Sequence, residues 1–165
     1  MRLNLGCGFN KVDGFVNVDR EDECAPDLVF DLESFPWPWG TNSVEEVHFT
    51  HSLEHLGQGT DTFRQIMQEL YRVCKDGAIV LVEAPWPLHI EYLSDPTHVR
   101  PLTPSLFGTM DKAVTDEWAA KGWAGTQLSR YWHVDFRVIG NEMWADEKTR
   151  EYISFKTQLQ VIKET

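Results

Sequence analysis

The stretch "RLNLGCGFNKVDGFVNVD", residues 2–19, holds two apolar runs separated by glycines. The first run breaks at Gly6-Cys7-Gly8, and the second stops at Asp19. Short apolar runs bounded by glycine or acidic residues are typical of strands that end in turns. The stretch therefore predicts strands at 2–6 and 15–19, with hardly any room between them for a crossover helix. The glycines around the thiol admit three interpretations: a structural turn, a redox or metal site, or a nucleotide-binding loop.

The cysteines argue against the redox and metal interpretation. Cys7, Cys24 and Cys74 are an odd number without CxxC spacing. That pattern disfavours a disulfide framework or a cysteine zinc site. Cys7 is better interpreted as a small residue in a tight turn.

The rest of the chain continues the alternation of apolar runs with turns and one clear helix. Phe63, Ile66, Leu70 and Val73 recur at helical spacing, which favours an amphipathic helix. Alternating strands and crossovers predict a single α/β domain with a doubly wound, mostly parallel sheet. The predicted strands are 27–32, 44–51 and 78–85, and the predicted helix runs over 60–75 and ends at Gly77.

The second half has a different character. After Pro85 the chain is rich in proline, histidine and aromatic residues, which predicts an ordered loop leading into a short helix that begins at Thr103-Pro104. Another helical piece is expected at 115–122. The runs at 134–140 and 159–163 predict a closing antiparallel strand pair.

Composition and charge restrict the classes of molecule that the chain is expected to bind. The 165 residues carry 26 acidic and 15 basic side chains, a net charge of −11. Binding to nucleic acid depends on lysine and arginine neutralising phosphates, so nucleic acid is an unlikely partner. No stretch approaches a membrane span, and the extended start leaves no room for a signal peptide. We expect a cytoplasmic monomer or homodimer.

Polar residues and glycines follow the ends of the predicted parallel strands. In such sheets ligands bind beyond the carboxyl ends of the strands. A dinucleotide is disfavoured because Lys11 replaces the third glycine of the G-x-G-x-x-G fingerprint, and the acid at position 19 comes early. The residues at these ends are Gly6–Gly8, Asp19, Asp31, His51 and Ala84-Pro85.

Five motifs in order resemble one known family. They are "LNLGCG" at 3–8, "FVNVD" at 15–19, "DLESFPWP" at 31–38, "HSLEHL" at 51–56 and "ELYRVCKDGAIVLVEAP" at 69–85. In sequence and spacing they are similar to the class I S-adenosylmethionine-dependent methyltransferases, close to the methyltransferase type 11 group. The resemblance covers the first half of the chain and implies a Rossmann-like fold that uses S-adenosyl-L-methionine.

The resemblance also implies a set of cofactor contacts. Gly6–Gly8 would pack against the methionine portion, and Asp19 would bind the ribose hydroxyls. Asp31 and Leu32 would flank the adenine, while Thr50 and His51 would close the pocket near the sulfonium. The full set of cofactor-binding residues is Leu5, Gly6, Cys7, Gly8, Asp19, Arg20, Asp31, Leu32, Thr50 and His51.

Three features depart from the family pattern. The first crossover is short, the helices that normally precede the first strand are absent, and Asp76 stands where the family has a proline before glycine. We therefore expect an open active site, or one covered by a partner subunit or by residues 86–130. The expected division is a cofactor-binding half at 1–85, an acceptor or lid segment at 86–130 and closing strands at 131–165.

Residues 51–55 hold the candidate catalytic groups. His51, Glu54 and His55 share a face if this motif is helical, and His51 is closest to the predicted strand end. A base assists transfer to a hydroxyl or amine that must lose a proton. A structural role for Glu54 and His55 remains open. No metal is predicted because "HSLEH" is not HExxH, although some quinone O-methyltransferases of this class place a metal near a similar Glu-His pair.

The loop "SDPTHVRPLTP", residues 94–104, holds the candidate acceptor contacts Asp95, His98 and Arg100. Asp-Pro and Thr-Pro turns are an alternative, structural explanation for it. Trp86 follows the last strand of the first half and is suited either to stacking on a flat acceptor or to core packing.

The predicted function is methyl transfer to a small-molecule or sugar-like acceptor. Two alternatives come from other classes. One is a non-catalytic domain that keeps the cofactor pocket within a larger assembly. The other is a metal-dependent hydrolase that uses His51, His55 and Asp95.

Overall fold

The computed structural model describes residues 1–163. One seven-stranded sheet has the order β3-β2-β1-β4-β5-β7-β6. Neighbours among β1 to β5 run parallel, β7 runs antiparallel to β5, and β6 runs antiparallel to β7. The strands are β1 (Arg2–Leu5), β2 (Val16–Asp19), β3 (Leu28–Val29), β4 (Val44–Thr50), β5 (Cys74–Pro85), β6 (Phe136–Ala145) and β7 (Tyr152–Val161).

The helices lie mostly in the second half of the chain. Two 3-10 turns, Asp22–Cys24 and Leu53–His55, precede the long helix that leads into β5. No helix within residues 1–163 is long and apolar enough to cross a membrane. The helices are α1 (Thr60–Val73), α2 (Ile90–Leu93), α3 (Pro104–Gly108), α4 (Lys112–Ala120) and α5 (Leu128–Trp132).

The strand order confirms the predicted fold class. From the central strand β1 the sheet extends to β2 and β3 on one side and to β4 and β5 on the other. This reversal between β1 and β4 defines a doubly wound sheet and its switch point. The short first crossover is confirmed as well, because the residues between β1 and β2 contain no helix.

The core forms where α1 covers the central strands. Leu3 and Leu5 of β1 are fully buried, and Leu3 pairs with Val16 on one side and Val47 on the other. The buried stripe of α1 follows the helical spacing seen in the sequence, so burial of this face stabilises the position of the helix on the sheet. Its members are Phe63, Ile66, Met67, Leu70 and Val73.

The predicted end of the long helix was wrong. The helix stops at Val73, and Cys74 already begins β5. Cys74 is buried and pairs with Val44, after which the register shifts so that Glu46 pairs with Ile79. Gly77, with φ +76°, lies in this irregular start of the strand and does not end the helix.

The predicted strand at 27–32 was too long. Only Leu28–Val29 pairs with β2, at the edge of the sheet. Asp31 then turns the chain, because its Oδ1 accepts a 2.9 Å hydrogen bond from the amide of Glu33. An acidic residue that bonds the backbone two residues ahead competes with continued strand pairing.

The second half follows the predictions with shifted boundaries. Thr103 caps α3 as expected, by accepting a hydrogen bond from the amide of Leu106. The helix predicted at 115–122 begins earlier, because Asp111 caps it through the amides of Ala113 and Val114. The predicted antiparallel pair is confirmed, with both strands longer than expected at ten residues each.

Candidate active site

The loop Gly6–Gly8, here called the glycine loop, follows β1 and lies against the residues after β4. Gly6 has φ +67°, and a Cβ there would come within 2.5 Å of Ser52 Cβ. Ser52 is itself held in place because its hydroxyl donates a 2.7 Å hydrogen bond to the carbonyl of Leu5. Only glycine fits this close approach in a left-handed conformation.

The same loop is joined to the end of β2. The amides of Gly6 and Cys7 both donate to the carbonyl of Val18, at 2.8 and 3.0 Å. The amide of Gly8 donates to Oδ2 of Asp19 at 2.8 Å. A Cβ built on Gly8 meets no atom within 4 Å. The two strand ends therefore hold a bare backbone against open space, with a half-buried carboxylate beside it.

Cys7 is buried within the glycine loop. Burial, followed by the neighbouring Asp19 carboxylate, raises the pKa of its thiol. A raised pKa leaves the sulfur protonated and unreactive near neutral pH. The interpretation of Cys7 as a small turn residue is therefore favoured over a redox role.

The remaining predicted cofactor residues lie at the same edge of the sheet. Leu32 is buried, and its carbonyl accepts a 3.0 Å hydrogen bond from Nε1 of Trp37. Asp31, Arg20 and Thr50 are exposed. This edge thus combines one buried apolar side chain with three exposed polar ones.

His51 follows β4 and has an unusual backbone conformation, with φ +52°. Its amide donates to the carbonyl of Glu83 at 2.9 Å, which extends the pairing of β4 with β5. Nδ1 lies 3.7 Å from Oε1 of Glu54, and Nε2 lies 3.6 Å from Oε1 of Glu83. The half-exposed imidazole is thus held between two carboxylates.

These carboxylates change the acidity of the imidazole. The neighbouring carboxylate of Glu54 is the main cause of the raised pKa of His51. Partial burial opposes the rise, and the charges of Glu83 and Glu91 add to it. At 3.7 Å the contact with Glu54 is longer than a hydrogen bond, so we describe it as an ion pair.

Glu83 was not predicted as a site residue. It pairs with Thr50 in the parallel register of β4 and β5, and therefore lies beside the residue that precedes His51. The signal in the sequence was an acidic residue in an otherwise apolar strand end, "VEAP" at 82–85.

Residues 51–55 do not form the helix that would place both histidines on one face. Only Leu53–His55 forms a 3-10 turn. The predicted approach of His51 and Glu54 is present, but Nδ1 of His55 contacts Thr97, at 2.9 Å from Oγ1. His55 is thus directed to the loop 94–104, which we call the acceptor loop.

The predicted acceptor residues have partners within the chain. Oδ1 of Asp95 accepts from the hydroxyl of Thr97 at 2.6 Å. The guanidinium of Arg100 donates to the carbonyls of Gly57 and Gln58 and lies 4.6 Å from the ring centre of Phe63. These contacts give both residues a role in holding the loop.

Trp86 lies where the chain leaves β5. Its ring is half-buried and packs against Tyr152 and Phe155, at centroid distances of 5.4 and 6.4 Å. Beyond it Leu88, Ile90 and Leu93 expose 82%, 66% and 63% of their surface. An apolar surface therefore borders this end of the sheet.

The predicted hydrolase residues do not converge. Within residues 1–163, the group of three metal-ligating side chains that comes together is Glu54, His55 and His98. His51 and Asp95 are not part of it. The set expected for a hydrolase built from His51, His55 and Asp95 is therefore wrong in its membership.

Comparison with solved structures identifies the fold. An S-adenosylmethionine-dependent methyltransferase from Archaeoglobus fulgidus superposes with a TM-score of 0.67 and 16% identity, over 96% of this chain and 85% of the other. The 16S rRNA (adenine(1408)-N(1))-methyltransferase of Catenulisporales acidiphilia superposes at 0.60, with 14% identity over 99% and 85%. The 1,6-didemethyltoxoflavin-N1-methyltransferase of Burkholderia thailandensis, solved with its substrate and S-adenosylhomocysteine, superposes at 0.59, with 10% identity over 98% and 71%.

No protein-family model and no curated protein matches the chain. The structural likenesses show that it has the class I methyltransferase fold over nearly its whole length. At such low identity they show the fold alone, and fold does not determine function.

Proposed function

We propose that this chain is an S-adenosylmethionine-dependent methyltransferase that acts on a small-molecule acceptor. The observation that carries the proposal is the 2.8 Å hydrogen bond from Gly8 to Asp19, which joins the glycine loop to the end of β2 beside the switch point between β1 and β4. Ligands of doubly wound sheets bind at this position.

The residues present fit the cofactor. The open space above Gly8 leaves room for a ligand against bare backbone. Asp19 uses one oxygen for Gly8 and the other for the amide of Glu21, at 3.0 Å. Each carboxylate oxygen has a further lone pair, so Asp19 can also accept from the two hydroxyls of a ribose. Leu32 supplies an apolar contact for the adenine.

When bound, the cofactor supplies an electrophilic methyl group on a sulfonium. The chain has to align the acceptor and keep water away from it. We assign His51 as the base that takes a proton from an acceptor hydroxyl or amine. Glu54 and Glu83 are positioning residues, since their negative charges orient the imidazole and stabilise its protonated form.

Two observations support a small acceptor. The net charge of −11 disfavours a polyanion. Leu88, Ile90 and Leu93 follow the end of β5 with exposed side chains, which suit an acceptor with an apolar part. The structural neighbours act on acceptors as different as rRNA and a toxoflavin precursor, so they do not decide the matter.

Isothermal titration calorimetry with S-adenosylmethionine and S-adenosylhomocysteine tests the proposal. Saturable binding of both, at one ligand per chain, is the expected result. Absence of binding to either would refute the proposed function. Binding without transfer to any member of a panel of hydroxyl and amine acceptors would favour the non-catalytic domain.

A further inference from the structure

We propose that Glu54, His55 and His98 form a binding site for one divalent transition-metal ion. Their ligand atoms all lie within 4.8 Å of one another. The site connects the 3-10 turn after β4 with the acceptor loop. It shares Glu54 with the surroundings of His51 but has no residue in the glycine loop, and this proposal does not rest on the proposed function.

The Glu54 carboxylate is buried without a hydrogen-bond donor. The side chain is 1% exposed, and neither carboxylate oxygen has a hydrogen-bond partner. Its nearest recorded cationic group is His51, at the ion-pair distance of 3.7 Å. Burial of an ionised carboxylate without hydrogen bonds costs several kcal/mol. A bound cation would satisfy the oxygens that the protein leaves without donors.

The tautomer of His98 is fixed by a backbone carbonyl. Its Nδ1 lies 2.8 Å from the carbonyl oxygen of Tyr92. A carbonyl only accepts hydrogen bonds, so Nδ1 must carry the proton. In the neutral ring Nε2 therefore has a lone pair that a metal ion can use, and Oδ2 of Asp95 lies 3.8 Å from this nitrogen. The ring is also fixed in orientation, because it stacks on Tyr92 at a centroid distance of 4.9 Å.

The tautomer of His55 is fixed in the same way. The hydroxyl of Thr97 donates to Asp95, so it receives the contact from Nδ1 of His55 as an acceptor. The carbonyl of Thr97, 3.2 Å from the same nitrogen, is a second acceptor. Nδ1 of His55 must again carry the proton, which leaves Nε2 free. Metal-binding histidines typically use one nitrogen as ligand while the other donates to an oxygen.

The donor set indicates the kind of ion. Two imidazoles and one carboxylate suit zinc and the other first-row divalent transition metals better than magnesium or calcium. Three protein ligands leave at least one coordination position for water or another ligand. Ligands lie at about 2.0–2.2 Å from zinc, so any two ligand atoms of one ion are at most about 4.4 Å apart, close to the 4.8 Å within which these three lie.

A bound ion would also strengthen the connection between two segments of the chain. The carbonyl of Glu54 already accepts from the amides of Val99 and Arg100, at 3.0 and 2.9 Å. A metal bound by the side chains of Glu54 and His98 adds a second connection between the same two segments. The ion would therefore stabilise the acceptor loop against the turn that contains His51.

The test is metal titration of the chelator-stripped full chain. Cobalt(II) is followed by its visible absorption, and zinc by competition with the bound cobalt. We expect one equivalent bound, a higher Tm with zinc, and no thiolate-to-metal charge-transfer band. A charge-transfer band from a cysteine, or less than one tenth of an equivalent bound, would overturn the proposal.

Substitution of the proposed ligands shows where the metal ion binds. His98→Gln and Glu54→Gln should each weaken binding at least tenfold and remove the zinc-dependent rise in Tm. His133→Asn, which alters an exposed histidine elsewhere, and His51→Gln should keep one equivalent. Circular dichroism of the metal-free variants establishes whether they are folded. If Glu54→Gln does not fold, the result for His98→Gln tests the site alone. Unchanged binding in folded His98→Gln would refute the assignment.

Discussion

The backbone amide of Gly8 donates a 2.8 Å hydrogen bond to Oδ2 of Asp19. This bond joins the ends of two neighbouring parallel strands and fixes the carboxylate beside the glycine loop. A charged acceptor makes such a bond stronger than one between neutral groups. The bond gives Asp19 two roles, because the same carboxylate shapes the loop and faces the proposed cofactor.

Replacing Asp19 separates these two roles. Asp19→Asn keeps an oxygen for the amide of Gly8 but loses the charge and one acceptor. We expect it to weaken binding of S-adenosylhomocysteine by about 10- to 100-fold, since hydrogen bonds to charged groups contribute about 1.5–3 kcal/mol. Calorimetry measures the effect. Asp13→Asn, which removes the same charge from an exposed position between β1 and β2, should leave the affinity unchanged; an equal loss there would indicate a general charge effect.

Alanine at the two glycines of the loop should have different consequences. Gly6→Ala places a Cβ 2.5 Å from Ser52 Cβ, so it should lower the free energy of unfolding by more than the roughly 1–2 kcal/mol typical of a left-handed alanine. Gly8→Ala meets open space and should cost only that conformational amount, yet weaken cofactor binding further. Chemical denaturation and calorimetry give the two quantities. Equal stability of both variants would contradict the close contact at Gly6.

Relief of that contact provides a second check. Ser52→Gly removes the atom that the new methyl group meets, although it also removes the hydroxyl bond to Leu5. We expect the double variant Gly6→Ala/Ser52→Gly to be more stable than the sum of the single effects predicts. A double-mutant cycle measures this coupling, and strict additivity would show that the two residues do not interact.

His51→Gln should lower kcat on an acceptor that must lose a proton by about 100-fold or more, because a general base contributes about 10²–10⁴-fold. Cofactor affinity should fall much less than kcat, since His51 is only one of the ten residues expected to contact the cofactor. Glu83→Gln should reduce kcat less, with KM nearly unchanged, since Glu83 acts through the imidazole. His133→Asn serves as the control. Normal turnover by His51→Gln would exclude His51 as the base.

Glu69 provides a prediction on acid stability. Its carboxylate accepts from the Arg72 guanidinium at 2.7 Å and from the amide of Trp37 at 2.6 Å. The Arg72 bond, then the Trp37 amide, lowers the pKa of Glu69 below its ordinary value of 4.5, against the opposing effect of burial. A lowered pKa stabilises the fold above the ordinary value, and this stability is lost as pH falls through the folded value.

Glu69→Gln should therefore reduce the stability at neutral pH by about 1–3 kcal/mol, the typical cost of weakening hydrogen bonds to a charged group. The difference in Tm from the wild type should be constant down to about pH 5 and shrink below pH 4.5. Glu117→Gln, at an exposed ion pair with Lys121, should cost no more than about 0.5 kcal/mol. A pH-independent difference for Glu69→Gln would contradict the assigned cause.

Most of the fold could be predicted because its signals are local. Apolar runs and glycines marked the strands, and the stripe from Phe63 to Val73 marked the long helix. The boundaries that were wrong depend on distant partners. The helix ends early because Cys74 pairs with Val44 as part of the sheet. The strand β3 is short because it lies at the edge of the sheet, with no strand beyond it.

The sequence by itself determined the class of fold and the positions of the glycine loop, Asp19 and His51 at the strand ends, because chain order decides which residues follow each strand. Only the tertiary structure decided which side chains meet. It placed Glu83 beside His51 through the register of β4 and β5. It also brought His98 to Glu54 and His55 across more than 40 positions of the chain. Such contacts depend on packing between distant segments, which no local pattern of residues records.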